Sequence, residues 1–168
     1  KNFVFGDNKI FDVQKRIFLL ITHITLVIIF VGVVVNLFLG LDVSLTTVTI
    51  ASFFAVVFFH TKVKKDGLKT KYAVSFFILS VTILSYLWFF NGGYNGNNNV
   101  LIFVYFIVVI TILPNKYRFF SFIIYSIMII GLITLQYFYP ELIVPYQNEQ
   151  QRFIDLTIGY LMYLVLAY

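Results

Sequence analysis

The chain has 168 residues, 61% hydrophobic and only 11% charged, with a formal net charge of +5 and a mean hydropathy of +0.94. A soluble domain carries about 25% charged residues, so water is not the main solvent for this sequence, and the length leaves no room for a large extramembrane domain. Cysteine is absent and the only histidines are His23 and His60, which excludes a disulfide framework and a thiolate metal site and argues against structural zinc.

In chain order, charge-poor apolar stretches cover 17–40, 43–59, 72–90, 97–113, 119–139 and 153–168. About 20 helical residues cross about 30 Å of hydrocarbon. The stretches are rich in Val, Ile and Phe but lack the period-two alternation of an outer-membrane barrel, and lipid admits only helices or closed barrels. The expectation is an all-α fold: a polytopic membrane helix bundle of six transmembrane helices, forming one domain over 1–168. The fourth stretch reaches transmembrane length only by borrowing asparagines, and the first is too long for a signal peptide. A start at Lys1 and an apolar run reaching Tyr168 without a polar flank are expected of a segment trimmed at both ends.

Basic residues set the orientation. Lys1, Lys9, Lys15 and Arg16 precede the first span, Lys62, Lys64, Lys65, Lys69 and Lys71 separate the second and third, and Lys116 and Arg118 separate the fourth and fifth. These are 11 of the 12 basic residues, so the positive-inside rule places the N-terminus and C-terminus of this multi-pass chain in the cytoplasm. The Lys62–Lys71 cluster fits topology determination, lipid-headgroup binding or partner docking. Membrane lipids are the expected partner of the basic loops, and no basic face with stacking aromatics points to nucleic acid. Tyr72, Tyr86, Trp88, Tyr117, Tyr137 and Tyr139 fall near span ends, where amphipathic rings rest at the interface.

Polar groups are few. Asn91 to Asn99 forms a turn that presents amide donors and acceptors at the mouth of spans three and four, read either as solvated or as ligand-binding. Pro140 and Pro145 impose extended backbone between spans five and six, with Leu142, Ile143 and Val144 dipping back onto protein or headgroups. Arg152 and Asp155 are three apart and close enough to pair, and Asp155 fits either a helix N-terminus or a ligand role. His23, beside Thr22 and Thr25, is expected to face the bundle interior, as a hydrogen-bonded packing residue or as a proton sensor. Asn36 and Gln136 are expected to make interhelical contacts. No catalytic constellation, metal set or cofactor motif is visible.

Asn91-Gly92-Gly93, the Pro-Asn-Lys-Tyr-Arg turn at 114–118, Tyr139-Pro140-Glu141-Leu142-Ile143-Val144-Pro145-Tyr146 and Arg152-Phe153-Ile154-Asp155 together resemble the N-terminal membrane sensor region of a group of sensor histidine kinases common in Bacteroidetes-type bacteria. The second half of the chain carries the resemblance; the first two spans share only hydropathy and spacing. The resemblance implies a last helix that leads into cytoplasmic transmitter domains, with kinase activity in the parent protein and none in this segment. It also implies a homodimer, and related membrane regions are coupled to other outputs such as cyclases. The expected function is therefore the sensory input domain of a two-component signal-transduction receptor, with Tyr94, Asn95, Tyr146, Arg152 and Asp155 around a small-molecule ligand site. The alternatives are a small transporter or channel, disfavoured because the span midplanes lack Asp, Glu, Lys and Arg, or a membrane anchor without sensing.

Overall fold

A computed structural model describes the backbone of residues 3–167 and the side chains of 13–161 and 164. Lys1, the Lys9 side chain and Tyr168, which enter the expectations above, lie outside the described residues. The described chain is all-helical: α1 (Phe3–Phe38), α2 (Val43–Asp66), α3 (Thr70–Phe90), α4 (Asn98–Ile112), α5 (Asn115–Phe138) and α6 (Glu149–Ala167), with no strand among the described residues. Four segments, Val13–Phe38, Val43–Asp66, Thr70–Phe90 and Asn115–Phe138, are long and apolar enough to cross a membrane. The 15 residues of α4 reach about 22 Å at 1.5 Å per residue, short of about 30 Å of hydrocarbon. In α6 the first turns carry Glu149, Arg152 and Asp155.

Among the helix boundaries that differ from the hydropathy reading, two have a direct physical reason. Helix α2 continues past Phe59 through its lysines to Asp66, because lysine is a good helix former and charge ends an apolar run without ending a helix. It stops where Gly67 adopts a φ of +79°. Helix α6 begins at Glu149 because Asn148 caps it: the Asn148 side chain accepts the Gln151 N–H at 2.8 Å, and Gln151 Oε1 accepts the Gln147 N–H at 2.7 Å, a variant of the reciprocal capping box.

Successive helices alternate in direction. The α1–α2 turn at Gly40–Asp42, the end of α3 at Asn91 and the segment Val144–Gln147 line one shared cleft, so three connections meet at an asparagine-rich end. At the opposite end Gln14 Nε2 donates to the Thr111 carbonyl at 3.5 Å, and Arg118 Nε closes α4 by donating to the Leu113 carbonyl at 3.0 Å. Lysines collect there. Lys62 lies 5.9 Å from the Phe58 ring, Lys71 5.2 Å from Tyr72 and Lys116 4.8 Å from Tyr117, cation–ring contacts that leave the ammonium at a boundary while the stem covers apolar surface.

Aromatic contacts tie the helices together. Phe76 of α3 meets Phe18 of α1 edge-on at 5.2 Å and Phe59 of α2 at 5.8 Å; Tyr125 of α5 meets Phe77 at 5.7 Å and Phe106 of α4 at 5.1 Å. The outward faces are also apolar, as with Phe30, Val34 and Leu37 of α1 and Ile127 and Ile130 of α5, a surface suited to lipid. Trp88 departs from the interfacial expectation: it is 2% exposed and belongs to the core. His23 departs as well. Phe18, Thr22 and Thr25 recur at helical spacing on the inward face of α1, which turns His23 outward. Instead, His60 Nδ1 lies 2.8 Å from the buried Thr22 hydroxyl, and the Tyr105 hydroxyl donates to Thr25 at 3.0 Å. Asn36 donates to Thr49 at 3.3 Å across α1 and α2, the interhelical contact expected of an amide in an apolar run.

Where both solvent and core are apolar, packing rather than hydrophobic transfer holds helices together. Phe76→Ala is therefore expected to leave an unfilled cavity, cost about 3 kcal/mol and lower the thermal midpoint in detergent. Phe54→Ala, at an outward position, should leave the midpoint unchanged; equal behaviour of the two variants would contradict this core.

Candidate functional site

The asparagine-rich end is organised around the connection between α5 and α6. After a short 3₁₀ turn at Pro140–Leu142, the chain runs extended, as a residue preceding proline favours. The Val144 N–H donates to the Phe89 carbonyl at 2.8 Å and the Val144 carbonyl accepts the Gly92 N–H at 3.3 Å. These two bonds strap the connection across the end of α3. The strap lays Tyr146 over Gly92, whose φ is +71° and whose hypothetical Cβ would stand 2.6 Å from the Tyr146 ring. Gly93 is left-handed too, at +57°, and a Cβ there would overlap Gln136. Both glycines are needed for conformation and for space.

Gln136 of α5 accepts the Tyr94 N–H at 3.0 Å. The helix-to-helix amide contact expected of it is instead a contact from helix to loop.

At the centre lies Asp155, on α6 and 8% exposed. The Tyr146 hydroxyl donates to its carboxyl at 2.6 Å and lies 3.2 Å from Asn91 Oδ1. The Asn91 and Asn97 amides lie beside Asp155 on the same cavity wall. Asn91 Nδ2 donates to Asn97 Oδ1 at 2.8 Å, and Asn97 Nδ2 donates to the Asp155 backbone carbonyl at 3.3 Å. Close approach of Asn97 to α6 depends on Gly159, one turn after Asp155, where a Cβ would stand 2.8 Å from Asn97 Nδ2. A buried carboxyl is tolerated when hydrogen bonds replace its hydration, and here the strap supplies the Tyr146 hydroxyl while the Asn91 and Asn97 amides add a polar surround.

This arrangement overturns two expectations. Asp155 does not cap α6, since Asn148 does and Asp155 lies almost two turns further in. Nor does it pair with Arg152, whose Nη1 lies 3.4 Å from Glu149 instead; in a helix Arg152 can turn back to i−3 as readily as forward.

The five expected site residues divide between two spaces. Tyr94, Asn95, Tyr146 and Arg152 line an open cleft of about 650 Å³ at the helix ends, together with Gln136 and Glu149. Asp155 faces a separate cavity of about 130 Å³ behind Tyr146, with Asn36, Asn91, Asn97 and Asn98 at its polar end. Tyr146 is the wall between them, its ring bordering the open cleft and its hydroxyl reaching the carboxyl. Asn97, Asn98 and Gln136 were not singled out as site residues by sequence reasoning. The density of asparagines over 91–99 was the available signal, but spacing within a turn does not say which amides point inward.

No group of three or more His, Cys, Asp or Glu side chains that could hold a metal occurs among the described residues. No protein-family model matches the chain, and neither a curated protein nor a solved structure matches it. What the site offers chemically is a set of neutral amide and hydroxyl donors around one carboxyl.

Tyr146→Phe keeps the ring and removes the hydroxyl, leaving a buried carboxyl oxygen one donor short. A loss of about 1–3 kcal/mol in stability is expected, read as a lower midpoint in detergent thermal unfolding. Tyr94→Phe, at an exposed position whose backbone makes the contact, should stay within about 0.5 kcal/mol of the parent protein.

Proposed function

We propose that this chain is the membrane-embedded input domain of a bacterial signal-transduction receptor, crossing the inner membrane six times with both termini in the cytoplasm. The observation that carries the reading is the link from Tyr146 to Asp155: it joins the non-cytoplasmic strap directly to α6, the helix that would lead to an output domain. A stimulus that altered this network would favour one seating of α6 over another, and only such a difference between states can transmit a signal. Charge supports the orientation, since Lys15, Arg16, Lys62, Lys64, Lys65, Lys69, Lys71, Lys116 and Arg118 share one end. In this topology α4 and α6 also span, with the polar turn Asn91–Asn97 sunk into the headgroup region to make up for the short α4. Resemblance to sensor histidine kinases adds a homodimeric parent with a cytoplasmic kinase output.

Because the chain has no cysteine, single substitutions report topology without background. Asn95→Cys should react with an impermeant maleimide added to intact cells, and Lys65→Cys only after permeabilisation; the reverse pattern would contradict the orientation. For function, Asp155→Asn in the full-length protein, reconstituted in nanodiscs, should change autophosphorylation by about fivefold, equivalent to roughly 1 kcal/mol of bias between states. A correctly folded variant with unchanged output would contradict the receptor reading, as would solute flux through liposomes containing this segment alone.

A further inference from the structure

The cavity behind Tyr146 does not end at the asparagines. Ile28, Ile29, Thr49, Leu87 and Leu101 line it and also line a second space of about 90 Å³ deeper between α1, α2, α3 and α4. On α3 the lining of the deeper space runs from Leu87, which both spaces share, to Phe76, about 16 Å along the helix axis. The two ends differ in chemistry. Along the deep part each hydroxyl is already committed: Thr49 donates to the Leu45 carbonyl at 2.7 Å, Ser52 to Val48 at 2.7 Å, Ser80 to Phe76 at 2.8 Å, and Tyr105 to Thr25 at 3.0 Å. Polar groups turned back on protein in this way leave a hydrocarbon-like lining. At the shallow end the reverse holds. Asn98 is 2% exposed, lines the cavity, and its Nδ2 has no partner, which costs free energy unless an acceptor arrives. Asp155 shares that end and its carboxyl already accepts from the Tyr146 hydroxyl, so it offers further acceptor oxygen, which suits a hydroxyl-bearing head and offers an anionic one nothing.

From this polarity we infer that the paired cavities bind a neutral single-chain amphiphile, with an oxygen-bearing head that accepts from Asn98 and a tail lying along α3. A hydroxyl on the same head would meet the remaining acceptor capacity of Asp155. A phosphate or carboxylate head is disfavoured by the acceptor oxygens of that carboxyl, and a two-chain lipid by the small volumes of the two spaces, about 130 and 90 Å³. The sensory reading bears only on what such a ligand would do; binding itself concerns this chain alone.

The test uses alkylglycerols as probes, with the purified chain in nanodiscs and binding measured by native mass spectrometry and displacement titration. Dodecylglycerol should saturate at one molecule per chain and bind more tightly than octylglycerol. Asn98→Leu should weaken it about tenfold, the worth of one hydrogen bond, and Leu101→Trp, which plugs the tail slot, should abolish it. Circular dichroism and a retained thermal midpoint identify the variants that are folded; if Asn98→Leu unfolds, Asn98→Asp, which replaces the donor with an acceptor, serves in its place with the same expected loss. Dodecyl phosphate or dodecyltrimethylammonium binding as tightly would overturn the head assignment. Non-saturating uptake that is indifferent to Leu101→Trp would show bulk partitioning and overturn the site. A failed titration leaves the autophosphorylation result above intact, and an inert Asp155→Asn receptor leaves the titration intact.

Discussion

One hydrogen bond, from the Tyr146 hydroxyl to the Asp155 carboxyl at 2.6 Å, holds the asparagine-rich end in its present form. Without it, α6 keeps a buried carboxyl with fewer donors, and the strap loses its side-chain bond to that carboxyl while its two backbone bonds to α3 remain. Everything that shapes this end serves the same contact. Two left-handed glycines open space for the Tyr146 ring and for Gln136, two prolines keep the strap extended, and Gly159 lets Asn97 approach α6. In a low-dielectric setting such a network is strong when complete and costly when one member is lost, which is what a two-state element requires.

The rest of the bundle provides the frame. Aromatic contacts among Phe18, Phe59 and Phe76 pin α1, α2 and α3 together, while Tyr125 and Phe106 pin α4 to α5. Among the described residues, α6 meets the bundle through the buried Asp155, bonded to Tyr146, and through Gly159, against which Asn97 packs. A helix held by directional bonds can be released by changing one of them, whereas a helix held by many dispersion contacts cannot.

Helicity and approximate element positions were legible in the sequence, because long charge-poor runs without alternation have one solution in lipid. Helix ends were less so: hydropathy stopped α2 at Phe59, yet its backbone continued through the lysines, and the cap at Asn148 was hidden in a polar run. Inward and outward faces were the least legible. His23 drew attention as the ionisable group, while its neighbours Thr22 and Thr25 carry the inward contacts; in lipid both faces of a helix are apolar, so periodicity gives little guidance. At the site, Tyr146 and Asp155 stood out by residue type, but their pairing across nine positions depends on the fold of the strap, and the contributions of Asn97 and Asn98 depend on where a glycine-rich turn aims its amides.

The central claim is that the strap and α6 are energetically one unit, and a double-mutant cycle on thermal stability measures this directly. With Tyr146→Phe, Asp155→Asn and the double variant in the same detergent, a coupling energy of about 1 kcal/mol or more is expected, since the second substitution removes little once the first has broken the contact. Additive effects, within about 0.5 kcal/mol, would contradict the account.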